Sequence, residues 1–268
     1  MDVNIVDTTL RDGEQKAGTV FGMDEKIRIA KILNDMGVKQ IECGIPAMGG
    51  QEKKSVEKIA GLGLESIISS WNRMSISDIE DSMDCGVDII HISVPSSDIQ
   101  IKYKLGRSRA WVLNNIRRCI AYTIGRGFEV TVGFEDASRA DINFLIELCM
   151  VVSNMGVKRI RYADTVGVLY PRRTFYIVKK IIQEVPVDIE IHAHNDFGMA
   201  LANSIAAVEA GAKFVNSTIG GIGERAGNCD FVEFTAVVKE FGMYNMAADI
   251  KKFLKMEQSI KNIMNHSC

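Results

Sequence analysis

The sequence predicts an α/β fold closed into a (β/α)8 barrel, and three observations carry that prediction. Eight short β-prone runs follow one another along 268 residues, spaced by roughly 25 to 40 residues, with a helical pattern after nearly every one. Four prolines in the whole chain, and no Ser/Gly-rich linker, leave no place for a domain break. The polar residues with chemical capacity gather at the carboxyl ends of the runs, where a barrel keeps its chemistry. Strands alternating with helices imply a parallel sheet, and eight such units imply closure. An open doubly wound sheet is the alternative. It usually has fewer strands, and here no glycine-rich dinucleotide loop follows the first one. One barrel domain over residues 1–268 is therefore expected, within the usual size of a single barrel.

Taken in order, the strands are expected at residues 3–7, 40–43, 65–69, 88–94, 129–134, 159–163, 188–192 and 214–218. The clearest helix runs from Asp24 to Met36, with an acidic start, apolar residues at three- and four-residue spacing, and Gly37 as its stop. Similar stops stand at Gly86, Gly127, Gly156 and Gly211, each shortly before the next strand. A helix is expected to begin near Arg139, with Asp136 or Ser138 as its N-cap. A final amphipathic helix is expected over about residues 246–264, packed against some other element.

Composition excludes several classes. Hydrophobic residues at 47% and charged residues at 25% are those of an ordinary globular chain. A formal charge of −2 gives no basic footprint for nucleic acid or an anionic membrane. The apolar runs are too short to cross a bilayer, and no secretory signal precedes the strand at Asn4-Ile5-Val6. Six scattered cysteines without a C-x-x-C pair fit reduced thiols in a cytoplasm better than disulfides or structural zinc. Cys43 and Cys149 read as small buried hydrophobes.

The strand ends carry Arg11, Asp12, Glu42, His91, Glu135, Asp164, Thr165, His192 and His194, including three of the chain's four histidines. His192 and His194 lie two apart on a strand, so both side chains point to the same face. With Asp12 they form a two-nitrogen, one-oxygen set for a divalent metal that leaves coordination positions open. The alternative is a hydrogen-bonded histidine pair at a barrel rim. Arg11 beside this set suits a developing oxyanion, or else a salt bridge closing the barrel. Glu14 reads as an acceptor orienting a ligand or water, or as a surface carboxylate. Glu135 is a better site candidate than Asp136. Thr165 can donate a hydroxyl to a substrate carboxylate, and Asp164 can orient a neighbour. His91 lies inside an apolar run and reads equally as a core residue. In the glycine-rich loop 220–228, which is neither a P-loop nor a Rossmann fingerprint, the amide oxygen of Asn228 could complete the metal sphere.

Two long motifs in this chain resemble the signatures of the homocitrate synthase/isopropylmalate synthase family, acyl-CoA condensing enzymes built on a metal-containing TIM barrel. One is Leu10-Arg11-Asp12-Gly13-Glu14-Gln15 followed by Lys26. The other is His192-Ala193-His194-Asn195-Asp196-Phe197-Gly198. The resemblance covers essentially the whole chain. It is strongest toward the nitrogen-fixation type of homocitrate synthase, through 44–49, 104–111 and 135–141. The resemblance implies Asp12, His192, His194 and Asn228 as metal ligands, Arg11 as activator of a 2-oxo group, His91 and Thr165 as contacts to the oxo acid, and Glu135 close to the metal-bound water.

The reaction so implied is a metal-assisted Claisen-type condensation of acetyl-CoA with 2-oxoglutarate, giving homocitrate and free CoA. The metal would be Mn2+, Mg2+, Zn2+ or Co2+. Two departures stand out. Lysine-pathway homocitrate synthases carry an arginine two residues before the strand-five serine that binds the oxo acid, and the matching positions here are Thr131 and Gly133. Family members also continue beyond the position of Cys268, so a second subunit supplying that segment is expected; homo-oligomerisation stays open. The alternatives are an isopropylmalate or citramalate synthase, a lyase of the hydroxymethylglutaryl-CoA type, and a non-catalytic regulatory subunit. The lyases place a catalytic cysteine in a Gly-Cys-Pro loop after strand eight, and the loop here has none.

Overall fold

The structure, a computed structural model, describes residues 3–242 and 249–265. The strands β1 (Asn4–Asp7), β2 (Gln40–Glu42), β3 (Ile67–Arg73), β4 (Ile89–Pro95), β5 (Glu129–Glu135), β6 (Arg159–Asp164), β7 (Asp188–Ala193) and β8 (Phe214–Ser217) pair in sequence order, all parallel. The register of β8 against β1, Asn4↔Phe214 to Asp7↔Ser217, closes the barrel. Helices α1 (Met23–Asp35), α2 (Gly50–Ala60), α3 (Ile76–Asp84), α4 (Arg109–Ile124), α5 (Ile142–Asn154), α6 (Pro171–Glu184), α7 (Ala200–Ala210) and α8 (Phe231–Glu240) each follow their strand, and α9 (Ile250–Asn265) is additional. This is the TIM barrel that the alternation of runs predicts.

Two local expectations need correction. β3 runs to Arg73 rather than ending at 69, pairing Ser69–Arg73 one for one with Ile89–Ser93. Its second half hides in the sequence because a polar residue faces the helix layer: Asn72 is buried and accepts a hydrogen bond from Ser82 of α3 at 2.6 Å. The helix after β5 begins at Ile142, and its N-cap is Asp141, whose side chain accepts from the Phe144 amide at 2.9 Å. Asp136 instead sits in the left-handed region at φ 56°, followed by a single 3-10 turn, with its carboxylate on Arg139 and Ser97.

The expected terminal helix is α9, with residues 246–248 of that range outside the described residues. It lies in the outer layer between α8 and α1. Phe253 is buried with its ring centroid 5.4 Å from that of Phe231, Ile260 is fully buried, and Lys252 donates to the Asp35 carbonyl at 3.1 Å. Burial of two such side chains contributes about 1.5–3 kcal/mol each to docking the helix on the barrel.

The barrel interior departs from the usual layers of branched aliphatic residues. β2 and β6 are not neighbours in the sheet, so their side chains meet only by pointing inward. Arg161 reaches Glu42 at 2.6 Å and Arg159 reaches Gln40 at 2.6 Å, each pair 119 residues apart. Glu190 of β7 joins them, 2.5 Å from Arg161 and 3.4 Å from Arg159. The aliphatic core lies instead between the sheet and the helices, where Ile41, Ile92, Val132, Ile160, Ile189 and Val215 are all buried.

Candidate active site

The chain leaving β1 turns tightly, with the amides of Arg11, Asp12 and Gly13 all directed at the Thr8 carbonyl (3.1, 2.9 and 3.1 Å). The turn aims Asp12 inward. Gly13 allows it to close on the loop after β8, because a Cβ there would meet Ile222 Cδ1 at 2.9 Å. On β7, His192 and His194 share a face, as the two-residue spacing predicts. Their Nε2 atoms are 3.2 Å apart, and Asp12 Oδ2 lies 3.6 and 4.0 Å from them. Two ligand atoms each about 2.1 Å from one ion lie roughly 3.0 to 4.2 Å apart, depending on the angle between them, so this triad has the spacing of ligands around a shared cation. All three residues are buried, and the candidate ligand atoms lie within 4.8 Å of one another.

Asn228 arrives from the β8 loop. Its Nδ2 donates to Asp12 Oδ1 at 2.7 Å and to the Ile222 carbonyl at 3.0 Å, while its Oδ1 is buried with no hydrogen-bond partner. An orphaned amide oxygen beside two imidazoles and a carboxylate fits a cation, since a buried acceptor without a donor gains from a positive partner. The loop is held over the site by Arg225, which clasps Asp196 (2.8 and 2.9 Å) and donates to the Thr165 carbonyl at 2.8 Å. Electrostatics support the donor set. Burial alone would raise the Asp12 pKa, but Arg11 and the two imidazoles hold it well below the usual carboxylate range. Burial, then His192, pushes His194 down to about 3, so its imidazole is neutral and its lone pair free.

Arg11 is fixed on two sides, by Glu42 at 2.7 Å from Nε and by Asp12 at 3.0 Å from Nη1, with its guanidinium carbon 5.8 Å from the Trp71 ring centroid. Glu42 also accepts from Thr8 at 3.1 Å. Though wholly buried, it is held ionised by Arg161 and Arg11. Glu190 likewise falls to about 2 despite burial, under Arg161 and Arg159. His91 is fully buried, its Nδ1 2.8 Å from Thr131 Oγ1 and its Nε2 without a partner. Burial, then Arg161, lowers it to about 3, so it is neutral at working pH.

Arg11, Asp12, Trp71, Glu135, Arg161, Thr165, His192 and His194 line one cavity of about 410 Å³, together with Gln15, Lys104 and Glu224. A more apolar cavity of about 470 Å³ adjoins it, sharing Trp71, Lys104, Glu135 and Thr165 and walled by Met74, Pro95, Leu105 and Trp111. Glu135 accepts from Ser93 and Thr165, both at 2.9 Å. Of the residues singled out from sequence, Arg11, Asp12, Glu135, Thr165, His192 and His194 share the first cavity. Asn228 sits behind Asp12, and His91 lies beneath, outside the lining. Glu14 turns away, to Lys26 at 2.7 Å and the Phe21 amide at 3.0 Å. Asp164 caps the following turn through the amides of Val168 and Leu169. The sequence reading missed Trp71, Lys104, Arg161 and Glu190. The alternation Arg159-Ile160-Arg161 puts both arginines on one face of a buried strand without telling that the face is inward, and Glu190 on β7 carries no such signal.

The chain matches the HMGL-like family over residues 2–260. It is 57% identical over 265 residues to the homocitrate synthase subunit alpha of Clostridium pasteurianum, covering 98% of each chain. It is 48% identical to the 2-isopropylmalate synthase 2 of Caldanaerobacter subterraneus subsp. tengcongensis, over 96% of this chain and 67% of that one. It is 44% identical to the homocitrate synthase 1 of Nostoc, over 96% and 68%. Among solved structures, the hydroxymethylglutaryl-CoA lyase of Pseudomonas aeruginosa superposes with a TM-score of 0.86 at 20% identity, covering 98% of this chain and 93% of that one. That likeness concerns the fold.

Proposed function

The chain belongs to the HMGL-like family, and on that premise we propose that it is the barrel subunit of a homocitrate synthase, condensing acetyl-CoA with 2-oxoglutarate to give homocitrate and CoA. The observation that carries this reading is the joining of Asp12, His192 and His194 beside Arg11 at the rim of one cavity. Asp12, His192, His194 and the amide oxygen of Asn228 would hold a divalent cation, which would supply Lewis acidity to the 2-oxo carbonyl.

The chain's own residues do the rest. Arg11 is pinned by Glu42 and Asp12, so its guanidinium is preorganised for the alkoxide that develops on the oxo oxygen. It cannot lose its charge to a proton acceptor. Thr165 and His91 bind the oxo acid. Glu135, held by Ser93 and Thr165 between the two cavities, orients the water that attacks the thioester. The adjoining apolar cavity takes the acyl-thioester end of acetyl-CoA, whose methyl group loses a proton before its carbon attacks the oxo carbon. Hydrolysis of the homocitryl thioester then releases CoA.

The Clostridium relative of equal extent is named a subunit, and the chain spans about two thirds of the Nostoc enzyme. Both facts support a second subunit that completes the catalyst. The reading places the protein in the cytoplasm, as a homocitrate synthase of the nitrogen-fixation type. Five cysteines among the described residues are free and buried, and no described helix is long and apolar enough to cross a membrane. A second reading, a synthase for isopropylmalate or citramalate, is favoured by the 48% identity to an isopropylmalate synthase. Release of free CoA from acetyl-CoA across a panel of 2-oxo acids separates the two. The expected result is weak turnover by the chain alone, restored by its partner subunit, with 2-oxoglutarate preferred. Full activity on 2-oxoisovalerate would reject the homocitrate assignment.

A further inference from the structure

A dicarboxylic oxo acid brings a second anion into the barrel, and strand β5 offers it only Thr131 and Gly133. The floor of the cavity offers something else. Arg161 is buried yet reaches the lining, two of its nitrogens already bonded: Nε to Glu190 at 2.5 Å and Nη2 to Glu42 at 2.6 Å. Among the described residues Nη1 has no hydrogen bond, leaving a planar guanidinium with donors directed past the two carboxylates that lock it. Glu42 and Glu190 must also neutralise Arg11 and Arg159. With Asp12 committed to the cation, three guanidiniums face two carboxylates. One buried positive charge is left over, a costly state that an anionic ligand relieves.

A second orphan converges on the same place. His91 Nε2 is buried without a partner and lies over Gly133, where a Cβ would come within 2.4 Å of it. Gly133 is the register partner of Arg161, and the same Cβ would lie 3.6 Å from Arg161 Cβ. A glycine here lets the imidazole swing across β5 toward the arginine. If the Thr131 hydroxyl donates to Nδ1, Nε2 carries the proton and faces the floor as a donor. The depth is also suitable. Arg161 pairs with Glu190, two residues below the Ala163↔His192 pair, about 6.6 Å down the strand. An oxo acid gripped at the rim beside His192 spans that drop with its remaining carbons and one hydrogen bond.

We propose that Arg161, with His91 beside it, binds the far carboxylate of the oxo acid and so selects 2-oxoglutarate over oxo acids with uncharged tails. This rests on the condensing-enzyme reading above and names the determinant of its substrate. Lys104, a further cation of the lining and one with no carboxylate partner among the described residues, is exposed at the mouth shared by both cavities. It stays hydrated there and does not discriminate.

The test is calorimetric titration of the Mn2+-loaded chain, which needs no acetyl-CoA. The ligands are 2-oxoglutarate, its amide 2-oxoglutaramate, and 2-oxovalerate, in which a methyl replaces the far carboxylate. The wild type should bind 2-oxoglutarate at least tenfold more tightly than the other two, a comparison that needs no mutation. Arg161→Lys should weaken 2-oxoglutarate at least tenfold and change 2-oxovalerate less than twofold, because an ammonium cannot keep both fixed bonds and still reach the ligand. Lys104→Ala should leave the preference intact. Equal wild-type affinity for the acid and its amide would overturn the proposal, as would an equal loss for both ligands in Arg161→Lys or collapse of the preference in Lys104→Ala. Failure of the wild type to bind any of the three would overturn the functional reading beneath it.

Discussion

Asn228 and Asp12 are 216 residues apart in sequence and joined by a hydrogen bond of 2.7 Å, from the amide Nδ2 to the carboxylate Oδ1. The bond settles which oxygen of Asp12 turns toward the histidines, and it leaves the amide oxygen of Asn228 unpaired. Asn228→Ala should therefore weaken Mn2+ binding about 10–100-fold, the usual cost of losing a residue that orients or joins a ligand set. Calorimetric titration with Mn2+ checks this. A loss below threefold would show that the amide neither orients Asp12 nor contributes a ligand.

Gly223 guards the same contact. A Cβ there would fall 2.0 Å from Asn228 Nδ2 and 2.6 Å from Asp12 Oδ1. Gly223→Ala should reproduce the metal-binding defect of Asn228→Ala while the far-ultraviolet circular dichroism stays that of the wild type. An alanine variant with wild-type Mn2+ affinity would mean that the β8 loop moves aside freely.

Arg11 separates metal binding from chemistry. Arg11→Lys keeps a positive charge but cannot hold Glu42 and Asp12 at once in the present geometry. CoA release by the complete enzyme should fall about 10²–10³-fold, the scale of a lost oxyanion donor. Mn2+ affinity should change less than fivefold. An equal loss in both measurements would make Arg11 a structural support of the metal site.

Asp7 predicts a pH dependence away from the active site. It is fully buried at the end of β1, its Oδ2 has no hydrogen-bond partner, and burial raises its pKa to about 7 from an ordinary 3.8. Between those values the folded chain keeps the proton and the unfolded chain has released it, so folding stability falls as pH rises through that window. Asp7→Asn keeps the acceptor for the Thr9 amide, now at 2.8 Å, and removes the ionisable group. Its stability should match the wild type near pH 4 and exceed it above pH 7 by up to about 4 kcal/mol. Urea denaturation at pH 4.5 and pH 8.5 measures the difference. A gain that does not grow with pH would contradict the assignment.

Much of this was legible in the sequence because its signals are local. Alternating strands and helices, the glycine stops and the two-residue spacing of His192 and His194 depend on nearest neighbours and on side-chain period. The half of β3 around Asn72 was not legible, because its polar residue is satisfied by Ser82 on the neighbouring helix. Asp136 looked like a helix cap and adopts the left-handed region instead, since Arg139 and Ser97 engage its carboxylate. The charged floor was hidden for the same kind of reason. Arg161 meets Glu42 across the barrel, and no pattern within β6 tells an inward arginine from one at a strand's end.

Barrel closure brings Asp12, His192, His194 and Asn228 to one place, where a single divalent cation would join them. Anomalous diffraction from crystals grown with Mn2+ locates that cation. A single strong peak is expected within about 2.0–2.4 Å of Asp12 Oδ2 and of both imidazole Nε2 atoms, with the Asn228 amide oxygen facing it. A fully loaded crystal whose peak lies elsewhere, with Asp12 bound only to Arg11 and Asn228, would contradict that placement.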